Sequence, residues 1–278
     1  MSGLRSLLRC VIPQCRRRYS EQGSDSGTSP ILLPCSSPST PAMGLAVERK
    51  ASAVRFRPDE AGTAALRLYR QLPAQARFHT YARWVSAPFP LVAELLPRTG
   101  RVLDFGCGHG LFSAYCAIRS PELEVVGVDI DVAKVSIGNL AIEGSELSER
   151  VDLRNVDVGW QPDPGEFDAV VTNDVLYLLG KDRAATQILA LAQACRPGGT
   201  LVIKEIGESP AWKASVNQLQ EYVATKVLKY TKGSELEVLS EGFLVDHMTA
   251  AGLLVRRIAM DRGYPHAHVA FVGRGSGL

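Results

Sequence analysis

The residue types best suited to chemistry in this 278-residue chain lie in the stretch Asp104-Phe-Gly-Cys-Gly-His-Gly110. An apolar pair, Val102 and Leu103, precedes the acid, and an apolar helical stretch begins after the third glycine, at Leu111. Glycine lets the backbone turn sharply and approach a ligand closely, and a helix that starts there directs free N–H groups at the same point. The pattern predicts a buried strand, a glycine-rich turn and a helix that together hold a nucleoside-type ligand.

The spacing of the glycines distinguishes between two kinds of nucleoside site. Dinucleotide-binding folds use G-x-G-x-x-G, whereas this chain has G-x-G-x-G with an acid two residues before the first glycine. A carboxylate there would repel a pyrophosphate, and it would attract a cationic ligand or accept N–H groups of the loop. The stretch resembles the first motif of class I S-adenosylmethionine-dependent methyltransferases, whose cofactor carries an ammonium and a sulfonium. The resemblance implies that the cofactor is S-adenosyl-L-methionine and that six residues of this stretch bind it: Asp104, Phe105, Gly106, Cys107, Gly108 and Gly110.

The next two predicted strands end in residues that the resemblance assigns to the adenosine. A β-branched run, Glu124–Asp129, ends in an acid about 20 residues past the glycines, the distance expected of a ribose-binding carboxylate. In the resembled family this acid holds both ribose hydroxyls and the next residue packs on the adenine, which implies these roles for Asp129 and Ile130. The third strand is followed by Asp157 and Val158. The resemblance implies that Asp157 accepts from the adenine amino group and that Val158 also lies at the cofactor.

The fourth predicted strand, 167–172, precedes a polar pair. The segment Asn173-Asp174-Val-Leu-Tyr177 resembles the fourth motif of the family, whose polar residue lies near the methyl group. The resemblance implies that Asn173 binds the cofactor and that Asp174 is a candidate catalytic residue.

The order of the remaining elements predicts the fold class. A helix over 181–195 ends at Arg196-Pro-Gly-Gly199, because proline does not continue a helix and glycine takes the turn, and a fifth strand, 200–205, follows. Two C-terminal runs, 253–260 and 268–273, are joined by a loop so short that they must form an antiparallel pair. We therefore expect an α/β fold: a Rossmann-like, doubly wound sheet of seven strands, parallel except for an antiparallel C-terminal strand, with an N-terminal helical cap.

Composition bears on partners and compartment. The net charge is only +2, which argues against a nucleic-acid partner, and no apolar run approaches the roughly 18 residues of a transmembrane segment. Residues 1–52 are predicted to be a disordered or targeting extension, because residues 1–20 hold five arginines and no acid. An organelle transit peptide has this composition. A disordered tail, or an extension translated upstream of Met43, are the alternatives. We expect a cytoplasmic protein, or a mitochondrial one if the extension is a transit peptide.

Two further domains are predicted: a helical cap or lid over 53–96, and the S-adenosylmethionine-binding domain over 97–278. The aromatic residues of the cap are either core residues or part of a lid over cofactor and acceptor. The core interpretation is favoured for four side chains: Leu68, Phe78, Tyr81 and Trp84.

Two segments are candidates for the acceptor side of the site. The loop 261–268 joins the last two strands at the end of the sheet where ligands bind, and it holds Tyr264 and His266 as candidate catalytic residues, since histidine takes a proton near pH 7. A predicted helix over 212–229 has one apolar face, which indicates either plain packing or a lid suited to an apolar or lipid-like acceptor. His266 and His268 have no evident third ligand, so we expect no metal.

Methyl transfer from a sulfonium is a direct displacement that requires alignment, and a base when the acceptor is a hydroxyl or a carbon acid. The N-P-P-[YF] signature of amino-group methyltransferases of nucleic acids and glutamine is absent at Asn173. We therefore expect a small-molecule acceptor that is methylated on oxygen or carbon rather than nitrogen. Two alternatives remain, an NAD(P)-dependent oxidoreductase and a catalytically silent S-adenosylmethionine-binding scaffold. Acceptor identity and oligomeric state stay open.

Overall fold

A mixed β-sheet forms the centre of the computed structural model, which describes residues 49–50, 57–207, 239–264 and 266–275. Within these ranges the sheet has eight strands in the order β1-β7-β8-β6-β5-β2-β3-β4. Their bounds are β1 Arg49–Lys50, β2 Thr99–Phe105, β3 Glu122–Asp129, β4 Val151–Asn155, β5 Phe167–Asn173, β6 Cys195–Ile206, β7 Leu253–Ala259 and β8 His268–Gly275. β8 is antiparallel to both of its neighbours, and the other neighbouring pairs are parallel. The predicted seven-stranded sheet is confirmed, and the two-residue β1 is an additional strand that the sequence did not predict.

The neighbours of β2 create a crevice at one edge of the sheet. β2 pairs with β3 on one side and with β5 on the other, so the order of the strands reverses there. Ligands of open α/β sheets bind beyond the carboxyl ends of the strands at such a reversal. β2, β3 and β5 end at Phe105, Asp129 and Asn173. The three motifs predicted to bind the cofactor therefore meet at one edge.

The ends of the helices follow from local sequence signals. The described residues form α1 Glu60–Leu68, α2 Ala74–Ser86, α3 Phe89–Ala93, α4 Leu111–Arg119, α5 Val132–Ile142, α6 Lys181–Ala194 and α7 Glu241–Ala250. Asp59 caps α1 by accepting from the Gly62 N–H at 2.7 Å, and Asp131 caps α5 by accepting from the N–H groups of Ala133 and Lys134. Such caps satisfy N–H groups that the helix leaves free.

The junction between α6 and β6 differs from the prediction. β6 begins directly after the helix with Cys195, which pairs with Phe167, so Arg196-Pro-Gly-Gly199 lies inside the strand and not in a turn before it. The register of the β5–β6 pair shifts between Phe167 and Ala169. The shift accommodates a proline without an N–H and the positive φ of Gly198, neither of which fits a regular ladder.

The cap helices pack on α4, but not through all four predicted core residues. Trp84 is buried and meets Tyr115 of α4 edge-on, with ring centres 5.1 Å apart, and Leu68 is partly buried in the same core. Phe78 and Tyr81 are 76% and 58% exposed. The core interpretation is wrong for these two residues, because they lie on the side of α2 that faces away from α4 and the sheet.

Two predicted segments fall outside the described residues. They are the extension over 1–52, apart from residues 49–50, and the apolar helix over 212–229. Within the described part of the chain, none of the helices has the length and apolar character needed to span a membrane. The same part holds no group of three or more residues that could bind a metal ion.

Candidate functional site

The glycine loop connects β2 to α4 in a left-handed conformation. Gly106, Gly108 and Gly110 have φ values of 81°, 57° and 72°, a region that costs other residues roughly 1–2 kcal/mol. The N–H groups of Gly106 and Cys107 donate to the Val128 carbonyl at 2.8 and 3.0 Å, which fixes the loop against the end of β3. A Cβ atom at Gly108 would meet no other atom within 4 Å. The backbone therefore faces open space at this point.

Asp129 lies beside the glycine loop, as predicted. Its Oδ2 accepts from the Gly108 N–H at 2.8 Å, and its Oδ1 accepts from the Asp131 N–H at 2.8 Å. Each carboxylate oxygen has a second lone pair. The group can thus accept two further hydroxyl hydrogen bonds while it orders the loop, and its ribose-binding role stays a prediction.

Asp104 is buried beneath the loop. It is 2% exposed, and its Oδ2 accepts from the Ser113 hydroxyl at 2.6 Å, which ties the end of β2 to the first turn of α4. Burial, followed by the nearby Asp129 charge, raises the pKa of Asp104 to about 7 against the hydrogen bond from Ser113. A carboxyl group in this state gains stability when a cation binds next to it.

Apolar side chains stand exposed at the ends of β3 and β4, where the adenine was predicted. Ile130 is 59% exposed and Val158 is 68% exposed, and Asp157, two residues past the end of β4, is also exposed. Their exposure leaves them able to contact a flat ring. Two other predicted residues are more enclosed: Phe105 is partly buried against the core, and burial raises the pKa of the Cys107 thiol well above its usual value.

Buried polar atoms at the ends of β2 and β5 have no hydrogen-bond partner among the described residues. They include both side-chain atoms of Asn173 and Nδ1 of His109. Asn173 is 6% exposed and His109 is 8% exposed. An unsatisfied buried polar group costs about 1–3 kcal/mol, so a polar ligand that binds these atoms would recover that energy.

Asp174, the candidate catalytic residue after β5, is held by two cations. Lys204 Nζ donates to its two oxygens at 2.6 and 2.7 Å, and Arg83 Nη1 donates to Oδ2 at 3.0 Å. Burial alone would raise the pKa of Asp174, but the charges of Lys204 and Arg83 outweigh it and hold the pKa well below its usual range. The carboxylate thus stays ionised and paired, which suits positioning and not proton transfer. Its φ of 58° is the one left-handed value of a non-glycine residue in the described ranges.

Glu205 follows Lys204 on β6 and was not predicted. Its Oε1 accepts from the N–H groups of Val175 and Leu176 at 3.2 and 2.9 Å. Burial, followed by the nearby Asp174 charge, raises the pKa of Glu205 to about 8. Glu205 therefore holds the backbone of the fourth motif itself.

One face of helix α2 contacts residues at the carboxyl edge of the sheet. The His79 ring lies 4.8 Å from the His109 ring, Arg83 pairs with Asp174, and the Ser86 carbonyl accepts from His268 Nε2 at 2.6 Å. The three α2 residues are four and three positions apart, the spacing of one helix face. The inner face of α2, defined by these three residues, therefore closes over the ends of β2 and β5 and the start of β8.

The predicted loop between β7 and β8 lies at the same edge, since His268 pairs with Ile206 at the end of β6. Tyr264 is buried, and burial raises its pKa to about 12, so its hydroxyl stays protonated. His266 is half-buried, and its ring lies 5.6 Å from that of His268. Because a carbonyl only accepts, His268 carries its proton on Nε2, and burial lowers its pKa to about 2.

Comparison with known proteins identifies the family. The family described as a methyltransferase domain matches residues 74–247. The chain belongs to the methyltransferase-domain family. This confirms the resemblance to class I S-adenosylmethionine-dependent methyltransferases, and it replaces the alternative of an NAD(P)-dependent oxidoreductase.

Curated relatives of this methyltransferase-domain chain carry different acceptors in their names. A ubiquinone biosynthesis O-methyltransferase of Marinobacter nauticus is 30% identical over 178 residues, which cover 63% of this chain and 72% of the relative. Another, of Dechloromonas aromatica, is 32% identical and covers 40% and 46% of the two chains. A ribosomal RNA small subunit methyltransferase C of Shewanella denitrificans is 26% identical and covers 49% and 36%. The chain thus spans less than half the length of two of these relatives.

Solved structures share the fold. An O-methyltransferase family protein of Burkholderia thailandensis has a TM-score of 0.58 at 20% identity and covers 76% of this chain and 62% of that one. The pyocyanin biosynthetic protein PhzM has a TM-score of 0.59 at 19% identity, with 75% and 60% covered. At these identities the likeness concerns the fold alone.

The residues at the crevice fit S-adenosylmethionine, the cofactor that accompanies this family. The cofactor combines a ribose, an adenine and a cationic methionine end. Asp129 offers free lone pairs beside the open backbone of Gly108, Ile130 is exposed, and the buried amide of Asn173 has no partner among the described residues. Asp104 is a buried carboxyl group beneath the loop, and its chemistry would suit a cationic end.

Sequence reasoning missed the residues that join separate segments. Three such residues, Ser113, Lys204 and Glu205, lie next to predicted motifs. The signal that could have identified them is a polar or charged residue within a strand or helix start that is otherwise apolar. Arg83 and His79 lie in the predicted cap over 53–96 and were not among the predicted site residues. Their spacing along α2 indicates a shared face, but nothing in the sequence specifies what that face contacts.

Proposed function

We propose that this chain transfers the methyl group of S-adenosylmethionine to an oxygen or carbon atom of a small molecule. The observation that supports it most directly is the buried amide of Asn173 at the strand reversal, which has no hydrogen-bond partner within the described part of the chain. A fold that leaves such an amide unsatisfied loses stability unless a ligand restores its hydrogen bonds. The glycine-rich stretch Asp104–Gly110 and the family membership identify that ligand as S-adenosylmethionine.

S-adenosylmethionine, when bound, supplies a methyl group on a positively charged sulfur. The chain's own part is to orient and to exclude water. In the proposal, Asp129 and the loop backbone hold the ribose, Ile130, Asp157 and Val158 hold the adenine, and Asp104 faces the cationic end. The inner face of α2 closes the crevice, which fixes the reacting atoms and keeps water out.

The side chains around the methyl position have different proposed roles. Asp174 is a positioning residue, because both of its oxygens are engaged by Lys204 and Arg83. Tyr264 with its raised pKa donates a hydrogen bond and does not act as a base. His266, in the loop that ends next to β6, is the proposed proton acceptor for a hydroxyl or carbon acid.

The acceptor class is proposed on two grounds. The relatives named as ubiquinone biosynthesis O-methyltransferases act, by that name, on oxygen. The fourth motif reads Asn173-Asp-Val-Leu and lacks the prolines of amino-group methyltransferases. We therefore propose oxygen as the first candidate for the methylated atom of the acceptor, carbon as the second and nitrogen as the last.

Calorimetry on the purified full-length chain tests the cofactor. S-adenosylhomocysteine is titrated first, with NADH as the matched nucleotide control. Binding of S-adenosylhomocysteine in the micromolar range without binding of NADH is expected. The reverse result would contradict the cofactor assignment.

A screen with a radiolabelled methyl donor then tests turnover. Phenols, β-dicarbonyl compounds and primary amines are offered in parallel, so that methylation on oxygen, carbon and nitrogen is compared within one experiment. Labelled product from the first two classes is expected. Cofactor binding without product from any class would favour the silent scaffold.

A further inference from the structure

A cavity of about 550 Å³ opens between α1 and α2. It is called here the outer pocket, and six residues that line it carry the argument: Arg67, Tyr69, Arg70, Arg77, Phe78 and Tyr81. The buried Tyr69 forms part of its wall and donates its hydroxyl to the His109 carbonyl at 2.6 Å. The outer pocket is thus fixed to the glycine loop by a direct hydrogen bond.

The outer pocket lies on the side of α2 opposite to the cofactor crevice. The inner face holds His79, Arg83 and Ser86, whereas Arg77 and Tyr81 lie about half a turn away around a helix with roughly 3.6 residues per turn. Phe78 is displaced by about a quarter turn and is 76% exposed. The outer pocket therefore does not belong to the site described above.

The arginines of the outer pocket have no acidic partner in the described ranges. Arg67, Arg70 and Arg77 are exposed, and none of them forms an ion pair with a described residue. Residues 57–86 contain five arginines against two acids. The whole-chain net charge of +2 conceals this imbalance: residues 1–86 hold 13 lysines and arginines against 5 acids, whereas residues 87–278 hold 18 against 24.

Two exposed aromatic rings stand among these charges. Phe78 and Tyr81 are 76% and 58% exposed on α2 next to Arg77. Aromatic rings interleaved with arginines in a groove bind single strands, because bases stack on the rings while phosphates pair with the guanidinium groups. We propose that the outer pocket binds a segment of single-stranded RNA, with phosphates on Arg67, Arg70 and Arg77 and a base stacked on Phe78 or Tyr81.

The charges favour this occupant over a segment of the chain itself. Residues 1–56 contain eight lysines and arginines against three acids, so they repel the arginines of the outer pocket. An acidic peptide would match the charge but has no planar bases for the exposed rings. The expectation of no nucleic-acid partner was drawn from the whole-chain charge, whereas this proposal is drawn from the local distribution of charge.

Fluorescence anisotropy on the full-length chain tests the proposal. The probe is a labelled single-stranded RNA of mixed sequence, about 12 nucleotides long, titrated at about 50 and 200 mM salt because phosphate contacts are salt-dependent. The triple variant Arg67→Ala, Arg70→Ala, Arg77→Ala is expected to bind at least about tenfold more weakly than the wild type. The double variant Phe78→Ala, Tyr81→Ala, which keeps the net charge, is expected to bind about tenfold more weakly.

Matched controls separate the outer pocket from general basicity, including that of the N-terminal residues. Arg98→Ala, Arg183→Ala, Arg274→Ala removes the same charge from exposed positions elsewhere, and Leu140→Ala, Leu189→Ala removes exposed apolar side chains. Both controls are expected to bind within about twofold of the wild type, and circular dichroism checks that each variant is folded. The proposal is overturned by an absence of wild-type binding, by equal losses in the two triple variants, by an unchanged aromatic variant, or by equal affinity for a polyglutamate peptide. The outcome does not depend on the methyl acceptor.

Discussion

Arg83 of α2 and Asp174 after β5 form an ion pair that joins the cap to the sheet, with Nη1 and Oδ2 3.0 Å apart. Asp174 pairs with Lys204 as well, at 2.6 Å. The two cations differ in exposure, since the side chain of Arg83 is 33% exposed and that of Lys204 is 0% exposed. The free energy that each contributes must therefore differ.

Replacement of Lys204 by Met is expected to lower the free energy of unfolding by about 3–5 kcal/mol, because it leaves a buried carboxylate without its main partner. Arg83→Met is the matched control. It should cost no more than about 1 kcal/mol, since solvent screens a partly exposed pair. Urea unfolding monitored by circular dichroism measures both. Equal losses would show that exposure does not set the strength of the two pairs.

The Asp129 carboxylate is predicted to dominate cofactor affinity. Asp129→Ala removes the acceptor of the Gly108 N–H and the proposed acceptor of the ribose hydroxyls. A hydrogen bond to a charged group contributes about 1.5–3 kcal/mol, so we expect S-adenosylhomocysteine affinity to fall by a factor of about 10 to 150. Asp129→Asn keeps one acceptor oxygen and should fall between wild type and Ala. If calorimetry finds near-normal binding by Asp129→Ala, the proposed role of Asp129 as the acceptor of the ribose hydroxyls is wrong.

The glycine loop offers two substitutions with different outcomes. A Cβ at Gly108 points into open space, so Gly108→Ala should fold at a conformational cost of roughly 1–2 kcal/mol and lose cofactor affinity. A Cβ at Gly106 would instead collide with the side chain of Val175. Gly106→Val is therefore expected to destabilise the fold itself, whereas Gly108→Ala is expected to stay folded without binding the cofactor normally. Thermal unfolding and calorimetry together distinguish the two.

Glu205 is expected to make stability depend on pH. Its pKa of about 8 in the folded chain lies above its ordinary value of 4.5, so the folded state holds this proton more tightly than the unfolded state. The stabilisation is complete below about pH 4.5 and is lost as the pH rises through 8. Relative to Glu205→Gln, the wild type should therefore lose stability over this window in urea unfolding. Glu94→Gln, at an exposed position, should leave the profile unchanged.

His266→Ala is expected to separate turnover from binding. If His266 accepts the acceptor's proton, kcat should fall by about 10²-fold or more while S-adenosylhomocysteine affinity stays within twofold of the wild type. His247→Ala, on α7, is the matched control, because its ring contacts the Phe243 carbonyl of the same helix. Unchanged kcat with an acceptor found in the screen would return His266 to a structural role.

The sequence predicted those parts of the fold that are encoded by short, local patterns. The glycine spacing, the β-branched run to Asp129 and the short loop before His268 each specify a local conformation, and together they predicted the order of seven strands. The extra strand at Arg49–Lys50 and the early start of β6 at Cys195 were missed. Both depend on pairing with distant strands, which propensity does not encode.

The candidate site was likewise predicted only where local patterns position its residues. Asp129 and the glycines lie as expected because one strand end and one turn position them. The roles of Lys204, Glu205 and Arg83 depend on contacts that join residues 29 to 91 positions apart. The position of Asp174 at the end of β5 could be predicted from its motif. Its charge state depends on these distant partners, so the motif alone could not predict it.

The hydrogen bond between Ser86 and His268 joins residues 182 positions apart. β8, which carries His268, inserts between β6 and β7 and is the last strand of the sheet along the chain. Contacts between residues so far apart in sequence form late, because the entropy of closing the intervening chain has to be compensated first. During synthesis, α2 therefore gains this anchor only after β8 has left the ribosome. A chain that stops before β8 therefore holds the glycine loop and its acids without the contact between His268 and α2 that closes this edge of the crevice.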